Sequence, residues 1–314
     1  MPPIASFRFP AADGLQLHAL DAGPRDATRL SVICLPGLAR TSEDFRDLIE
    51  RLAFDPSHPR RVIALDSRGR GLSARDPNPE NYAVPVELGD VSALLAATGI
   101  ERAVFVGTSR GGILTMVMAS VRPEAIAGAV LNDIGPVIEM AGLLRIKAYV
   151  GRLPPPRDYT DAARLLRGAM GNQFPGWNEA TWERYARLTW QETPAGLVTR
   201  YDPAISATLA TVDPDQPPPP IWEQFDGLAQ APLMVIRGEH SDLLSRETVD
   251  AMRARRPDLE TMDIAGEGHA PLLTGERTLE SIARFVARCD DQSSSRPSKP
   301  AAAGEREPGP SAID

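Results

Sequence analysis

Gly107-Thr108-Ser109-Arg110-Gly111 sets a serine between glycines, with an apolar run, Ala103 to Val106, before it and a helix-like stretch, Gly112 to Ala119, after it. A buried strand that turns abruptly into a helix strains the backbone of the residue at the turn, so its flanks must be glycine to avoid collisions. The turn presents the serine oxygen at a helix N-terminus, where free amides and the helix dipole favour a developing oxyanion. That is the chemistry of a nucleophile. A free hydroxyl is a poor nucleophile at neutral pH, so Ser109 needs a base within hydrogen-bond reach. The chain has four histidines: His18, His58, His240 and His269. His18 falls in an alternating edge segment, His58 in a proline-flanked loop, and His240 close to a candidate acid, Asp242. Only His269 follows the last strand-like run in a glycine-rich loop, Gly266-Glu267-Gly268-His269, and it is the expected base. An imidazole titrates near neutrality, so it can take the serine proton and return it to a leaving group.

Positioning these groups requires a particular arrangement of elements. Ser6 to Phe9 and Leu15 to Leu20 alternate apolar and polar around Asp13-Gly14, which predicts an antiparallel hairpin at a sheet edge. Short apolar runs then alternate with helical stretches. Ser31 to Leu35 precedes a helix from about Ser42 to Phe54, and Arg61 to Leu65 precedes one from about Pro85 to Thr98. Ala103 to Val106 leads into the helix after Ser109, and Ala125 to Leu131 follows that helix. Runs apolar on both faces that alternate with helices predict a mostly parallel α/β sheet covered on both sides. From about Pro136 to Phe225 strand alternation is missing, proline stops punctuate helical stretches, and Trp177, Trp182 and Trp190 cluster. The rhythm resumes at Leu233 to Ile236, a helix near Arg246 to Arg255, Leu259 to Ile264, and a final helix from about Pro271 to Cys289. The expected organisation is therefore a core at 1–135 and 226–289, a helical cap at 136–225, and a disordered tail at 290–314, rich in Ser, Pro and Ala. The cap is expected over the strand C-termini, where ligands bind in open α/β sheets.

Serine at an elbow, then an acid past a late strand, then a histidine after the last strand: with this rhythm the chain resembles the α/β-hydrolase superfamily over roughly residues 5–289. The resemblance extends to Leu35-Pro36-Gly37-Leu38, Asp66-Ser67-Arg68-Gly69-Arg70-Gly71, the segment from Gly238 to Asp242, and the segment from Gly266 to Pro271. It implies a Ser-His-Asp triad in which an acid accepts the imidazole N–H, fixing the tautomer and stabilising the imidazolium. Asp242, after Leu233 to Ile236, holds the family's usual position for that acid and is preferred. Asp133, after Ala125 to Leu131, holds a position some members use instead. The resemblance also implies an oxyanion hole made of the Leu38 and Arg110 backbone amides, although the family usually has His-Gly where this chain has Pro36-Gly37. The Arg110 side chain is expected in a salt bridge across the elbow helix, with contact to an acidic substrate as the alternative, and Asp66, Arg68, Gly69 and Gly71 in a hydrogen-bonded turn near the site mouth. The tryptophans are expected to pack helices.

Composition narrows the partners. Among 314 residues, 42% are hydrophobic, enough for a sizeable core, and the formal net charge of −8 disfavours nucleic acid or an anionic membrane as a partner. Two cysteines, Cys34 and Cys289, do not make a disulfide framework or a metal site, and Cys34 reads as a core residue. Neither a signal-peptide pattern nor a run near the ~20 apolar residues of a membrane span is present, which predicts a cytoplasmic protein. No dinucleotide fingerprint or metal cluster is seen, so neither cofactor nor metal is expected, and the partner is a small-molecule substrate. A serine at position 109 excludes the haloalkane dehalogenases and epoxide hydrolases of the superfamily, which require aspartate there. The leading expectation is hydrolysis of a small to medium carboxylic ester, thioester or lactone. A carbon–carbon bond hydrolase of diketone-like ring-cleavage products, acyl transfer to another acceptor, and a catalytically silent ligand receptor stand as alternatives.

Overall fold

The computed structural model describes residues 3–26 and 28–294. β1 (Ala5–Pro10) and β2 (Gln16–Ala22) form the expected antiparallel hairpin at one edge of an eight-stranded sheet. The other members are β3 (Ser31–Leu35), β4 (Val62–Asp66), β5 (Ala103–Thr108), β6 (Ile126–Asn132), β9 (Leu233–Gly238) and β10 (Glu260–Ile264). The spatial order is β1-β2-β4-β3-β5-β6-β9-β10, antiparallel as far as the β2–β4 pair and parallel beyond it.

Strand periodicity divides the core in two, because successive side chains point to opposite faces. Ile33, Leu35, Ile63, Leu65, Phe105 and Leu131 join one apolar cluster, which takes in α2 (Val84–Thr98), α3 (Arg110–Val121) and α8 (Arg246–Arg255). Val32, Cys34, Val62, Val104 and Val130 join the other, with α1 (Arg46–Ala53) and α9 (Glu276–Ser294). Strands that are apolar at every position are thus what a sheet covered on both faces demands.

Three boundaries differ from expectation. The helix expected from Ser42 opens as a 3-10 turn, Ser42–Phe45, before α1. The final helix begins at Glu276, not Pro271. The preceding chain is tied to the loop at the strand ends: the Asn132 side-chain amide donates to the Pro271 carbonyl at 3.0 Å, and the Leu272 amide to the Glu267 carboxylate at 2.8 Å. That helix also runs past 289 to Ser294, where Asp290 accepts the Leu30 amide at 2.9 Å and meets Arg60 at 3.1 Å. Residues 290–294 therefore leave the expected tail. Residues 295–314, where the rest of that expectation falls, lie outside the described residues.

Between β6 and β9 lie α4 (Met140–Tyr149), α5 (Tyr159–Met170), α6 (Glu179–Thr189) and α7 (Trp222–Asp226). The segment also contains a hairpin that was not expected, β7 (Trp190–Thr193) with β8 (Gly196–Thr199), whose four-residue strands are too short to show a period. Phe174, Trp182 and Trp190 are buried in a separate apolar cluster with α5 and α6, and Trp177 stacks on Phe174 with ring centroids 4.0 Å apart. Burying a side chain such as Phe174 stabilises this unit by roughly 1.5–3 kcal/mol. α7, expected in the cap, lies instead under α3 with Phe225 in the main core. Among the described residues, no helix is long and apolar enough to cross a membrane.

Candidate active site

Ser109 links β5 to α3 with φ +50 and ψ −112, a conformation costing a non-glycine residue on the order of 1–3 kcal/mol. Both glycines of the pentapeptide are required sterically. A Cβ on Gly107 would lie 2.5 Å from the Gly111 backbone, and one on Gly111 would lie 2.0 Å from the Leu35 carbonyl oxygen. The strained turn is bonded on both sides: the Ser109 amide donates to the Asn132 carbonyl at 3.0 Å, and its own carbonyl accepts from Gly112 and Ile113.

His269 comes to this serine from the loop after β10. Its Nε2 lies 2.9 Å from Ser109 Oγ, and its Nδ1 lies 2.8 Å from Asp133 Oδ2. An ionised carboxylate only accepts hydrogen bonds, so Nδ1 carries the proton in this arrangement and Nε2 is left to accept from the serine hydroxyl. The loop is held from the cap, where Gln173 Oε1 accepts the His269 amide at 3.2 Å.

The carboxylate that meets His269 is Asp133, not the preferred Asp242. Asp133 follows β6 directly, with φ +56, and is 0% exposed. It also accepts from the Gly238 amide at 2.7 Å and the Ser241 hydroxyl at 2.6 Å, so each of its partners is a neutral donor or the imidazole. Asp242 turns away toward α4, where Arg145 Nε and Nη2 grip its two oxygens at 2.6 and 2.7 Å. The pair ties α4 to the loop after β9. The other histidines lie apart from the serine. His18 is buried against Asp66 at 2.7 Å, while His58 and His240 are exposed.

Gly37 brings the loop after β3 against the elbow: a Cβ built on it would lie 3.8 Å from Ser109 Cβ. The next amide, Leu38, thus flanks the serine from one side, and Arg110 supplies the first amide of α3, one of those a helix leaves without an intrahelical partner. The Arg110 side chain makes a salt bridge to Glu87 of α2 at 2.7 Å. Asp66 anchors the neighbouring turn, accepting the Ser42 amide at 2.7 Å and the Leu72 amide at 2.9 Å.

A narrow cavity of about 80 Å³ opens onto Ser109 and His269. Ile146, Val150, Leu153, Leu166 and Met170 from the cap give it an apolar wall, and Arg40, Tyr149, Tyr185 and Thr189 give it a polar one. Arg40 went unnoticed in the sequence. Burial works against its charge, but Asp44 at 2.7 Å, together with Tyr185 and Tyr149, holds its pKa above the ordinary arginine value. It also donates to Thr189 at 2.8 Å and lies over the Tyr185 ring at 4.0 Å. Ser241 and Gln173 were missed as well, because their contacts cross more than ninety residues of sequence and leave no local pattern.

Comparison with known proteins agrees with this architecture. A family model for the alpha/beta hydrolase fold matches residues 31–276. A crystal structure of an alpha/beta hydrolase from Novosphingobium aromaticivorans is similar with a TM-score of 0.84 and 39% identity, covering 92% of this chain and 99% of that one. The 3-hydroxybutyrate-oligomer hydrolase of Cupriavidus necator is 29% identical over 255 residues, which is 76% of this chain and 82% of that protein. A pimeloyl-acyl-carrier-protein methyl ester esterase of Xanthomonas campestris pv. campestris is 27% identical over 266 residues, 82% of this chain and 95% of the esterase.

Proposed function

This chain belongs to the alpha/beta hydrolase fold family, and we propose that it is a serine hydrolase of small to medium carboxylic esters acting through an acyl-enzyme on Ser109. The observation that carries the reading is the relay Ser109–His269–Asp133, with contacts of 2.9 and 2.8 Å. Ser109 Oγ attacks the ester carbonyl carbon while His269 Nε2 takes its proton. The Leu38 and Arg110 amides receive the oxyanion, and each such donor is worth ~3 kcal/mol at the transition state. As the tetrahedral intermediate collapses, the carbon–oxygen bond to the alcohol breaks and His269 returns the proton to the departing oxygen. Water then attacks the acyl-enzyme, losing its proton to His269, and the acid leaves as Ser109 is reprotonated. Asp133 orients the imidazole and balances the imidazolium formed in each half-reaction.

The cavity supports an acyl or alcohol group with an apolar stretch and a polar end. A short 3-hydroxybutyrate oligoester, suggested by the named substrate of the Cupriavidus relative, is the first natural-type ester to try.

Turnover of p-nitrophenyl acetate, p-nitrophenyl butyrate and a 3-hydroxybutyrate dimer by the wild type and Ser109→Ala tests this. The expected result is a burst with an acyl adduct on Ser109, and a loss of roughly 10⁴-fold or more in the variant. Absence of both turnover and acylation on every ester would overturn the reading in favour of the carbon–carbon hydrolase or the silent receptor.

A further inference from the structure

Behind the two amides assigned to the oxyanion lies a buried charge network that the relay does not use. Glu87, in the first turn of α2, is 1% exposed and divides its carboxylate between two arginines. Oε1 accepts from Arg70 Nη1 at 2.6 Å, and Oε2 accepts from Arg110 Nε at 2.7 Å. Each arginine leads to one of the two amides. Arg110 owns the first, and its side chain is fixed a second time by donation from Nη2 to the Tyr82 carbonyl at 2.8 Å. Arg70 Nε donates to the Leu38 carbonyl at 2.8 Å, which fixes the peptide following the second amide and so the orientation of Leu38 itself. Arg70 Nη1 is shared with the Arg68 carbonyl at 2.7 Å, while Nη2, though buried, has no partner. A buried guanidinium left partly unsatisfied is costly. Its position is set by the Leu38 and Arg68 carbonyls and by Glu87.

We propose that Glu87 is a positioning residue, holding the Leu38 and Arg110 amides in one rigid frame so that both donors meet the oxyanion together. The proposal rests on the serine-esterase reading above. Two donors that approach from different loops must keep a separation set to a few tenths of an ångström. The pairing of β3 with β5, Leu35 opposite Gly107, sets it at the strand ends. Beyond those ends, a single carboxylate gripping an arginine from each side ties the two loops to one another. Charge-assisted bonds of 2.6 and 2.7 Å are short and strong, and glutamine would offer one of the two arginines an NH2 donor where glutamate offers an oxygen. The Arg70 backbone also forms a β-bridge with Tyr201, a residue that lines the cavity.

Glu87→Gln and Arg70→Lys are the variants to make. Lysine keeps the charge at position 70 but lacks the planar fork that reaches Leu38 and Glu87 together. For each, kcat and KM on p-nitrophenyl butyrate and the Ki of an alkyl boronic acid, which forms a tetrahedral adduct on Ser109, are compared with the wild type. The expected result is a fall in kcat of roughly 10–100-fold with little change in KM, and a rise in Ki that tracks the loss in kcat/KM. Thermal melts run alongside. Folded variants with wild-type kcat, or with losses confined to KM and no change in Ki, would overturn the proposal. Loss of the cooperative melt in both variants would also overturn it, since the network would then serve folding. A wild type without Ser109-dependent turnover would remove the esterase reading first, and this proposal with it, whereas an active wild type with unaffected variants removes only the role of Glu87.

Discussion

β6 and β9 are neighbours in the sheet, and the loop at the end of each carries an aspartate, but the two aspartates meet opposite surroundings. Asp133 is sealed from water and accepts from a backbone amide, a serine hydroxyl and an imidazole. Asp242, 22% exposed, is clasped by a guanidinium through two short bonds. A carboxylate matched to an arginine has its charge already balanced. One surrounded by neutral donors keeps its charge for a cation that appears only during reaction, such as an imidazolium. The loops are also interdependent. Gly238 and Ser241, which hold Asp133, come from the end of β9 and the loop that follows it, so the segment expected to furnish the acid instead holds the carboxylate that meets His269.

Exchanging each carboxylate for its amide breaks the comparison most directly. Asp133→Asn is expected to lower kcat by roughly 10³–10⁴-fold, since an asparagine donor toward Nδ1 imposes the wrong tautomer on His269. Asp242→Asn, remote from the serine, should change kcat only a few-fold. Steady-state rates on p-nitrophenyl butyrate read both. A larger loss from Asp242→Asn would return the acid role to the position the sequence favoured.

Ser241→Ala sharpens the same contrast. It removes a 2.6 Å bond to a buried charge and leaves Asp133 with the Gly238 amide and His269. A hydrogen bond to a charged group is worth about 1.5–3 kcal/mol, of which only the part that differs between ground and transition state appears in the rate. A fall of roughly tenfold in kcat is expected, with Ser241→Thr recovering most of it. If the alanine variant is as fast as the wild type, the donor set around Asp133 has no bearing on its strength as a partner for His269.

The parts of the site legible in the sequence are those dictated by local sterics. Gly107 and Gly111 are glycine because neighbouring backbone leaves no room for a Cβ, and that pattern within five residues marks Ser109. His269 was legible because its glycine-rich loop follows a strand. The acid was not, since both candidates are aspartates just past apolar strands and the decision lies in a positive φ at Asp133 and a guanidinium from α4, neither visible locally. The Glu87 frame joins residues 17 and 23 apart through side chains and leaves no periodic trace. The fold itself was readable because a parallel sheet with two covered faces writes its strands as unbroken apolar runs. The β7–β8 hairpin escaped because it is built on turn geometry over four-residue strands.

A third carboxylate extends the comparison and gives the smallest effect. Glu267, two residues before His269, is partly buried and accepts the Leu272 amide at 2.8 Å, and among the described residues no arginine or lysine is in an ion pair with it. Burial pushes its pKa above the ordinary glutamate value, and the Leu272 bond only partly opposes that. The sign follows from linkage. A group whose folded pKa lies above its unfolded value contributes stability that is complete below the unfolded pKa and is lost as pH rises through the folded one. Glu267→Gln keeps an oxygen for Leu272 and removes the ionisation. The melting temperature of the wild type relative to this variant is therefore expected to fall as the pH is raised from below 4.5 toward neutrality. Asp133 has three donors and Asp242 a matched cation, whereas the bonding of Glu267 leaves the effect of burial only partly opposed, and a pH-independent difference between wild type and variant would show that burial does not set the ionisation of Glu267.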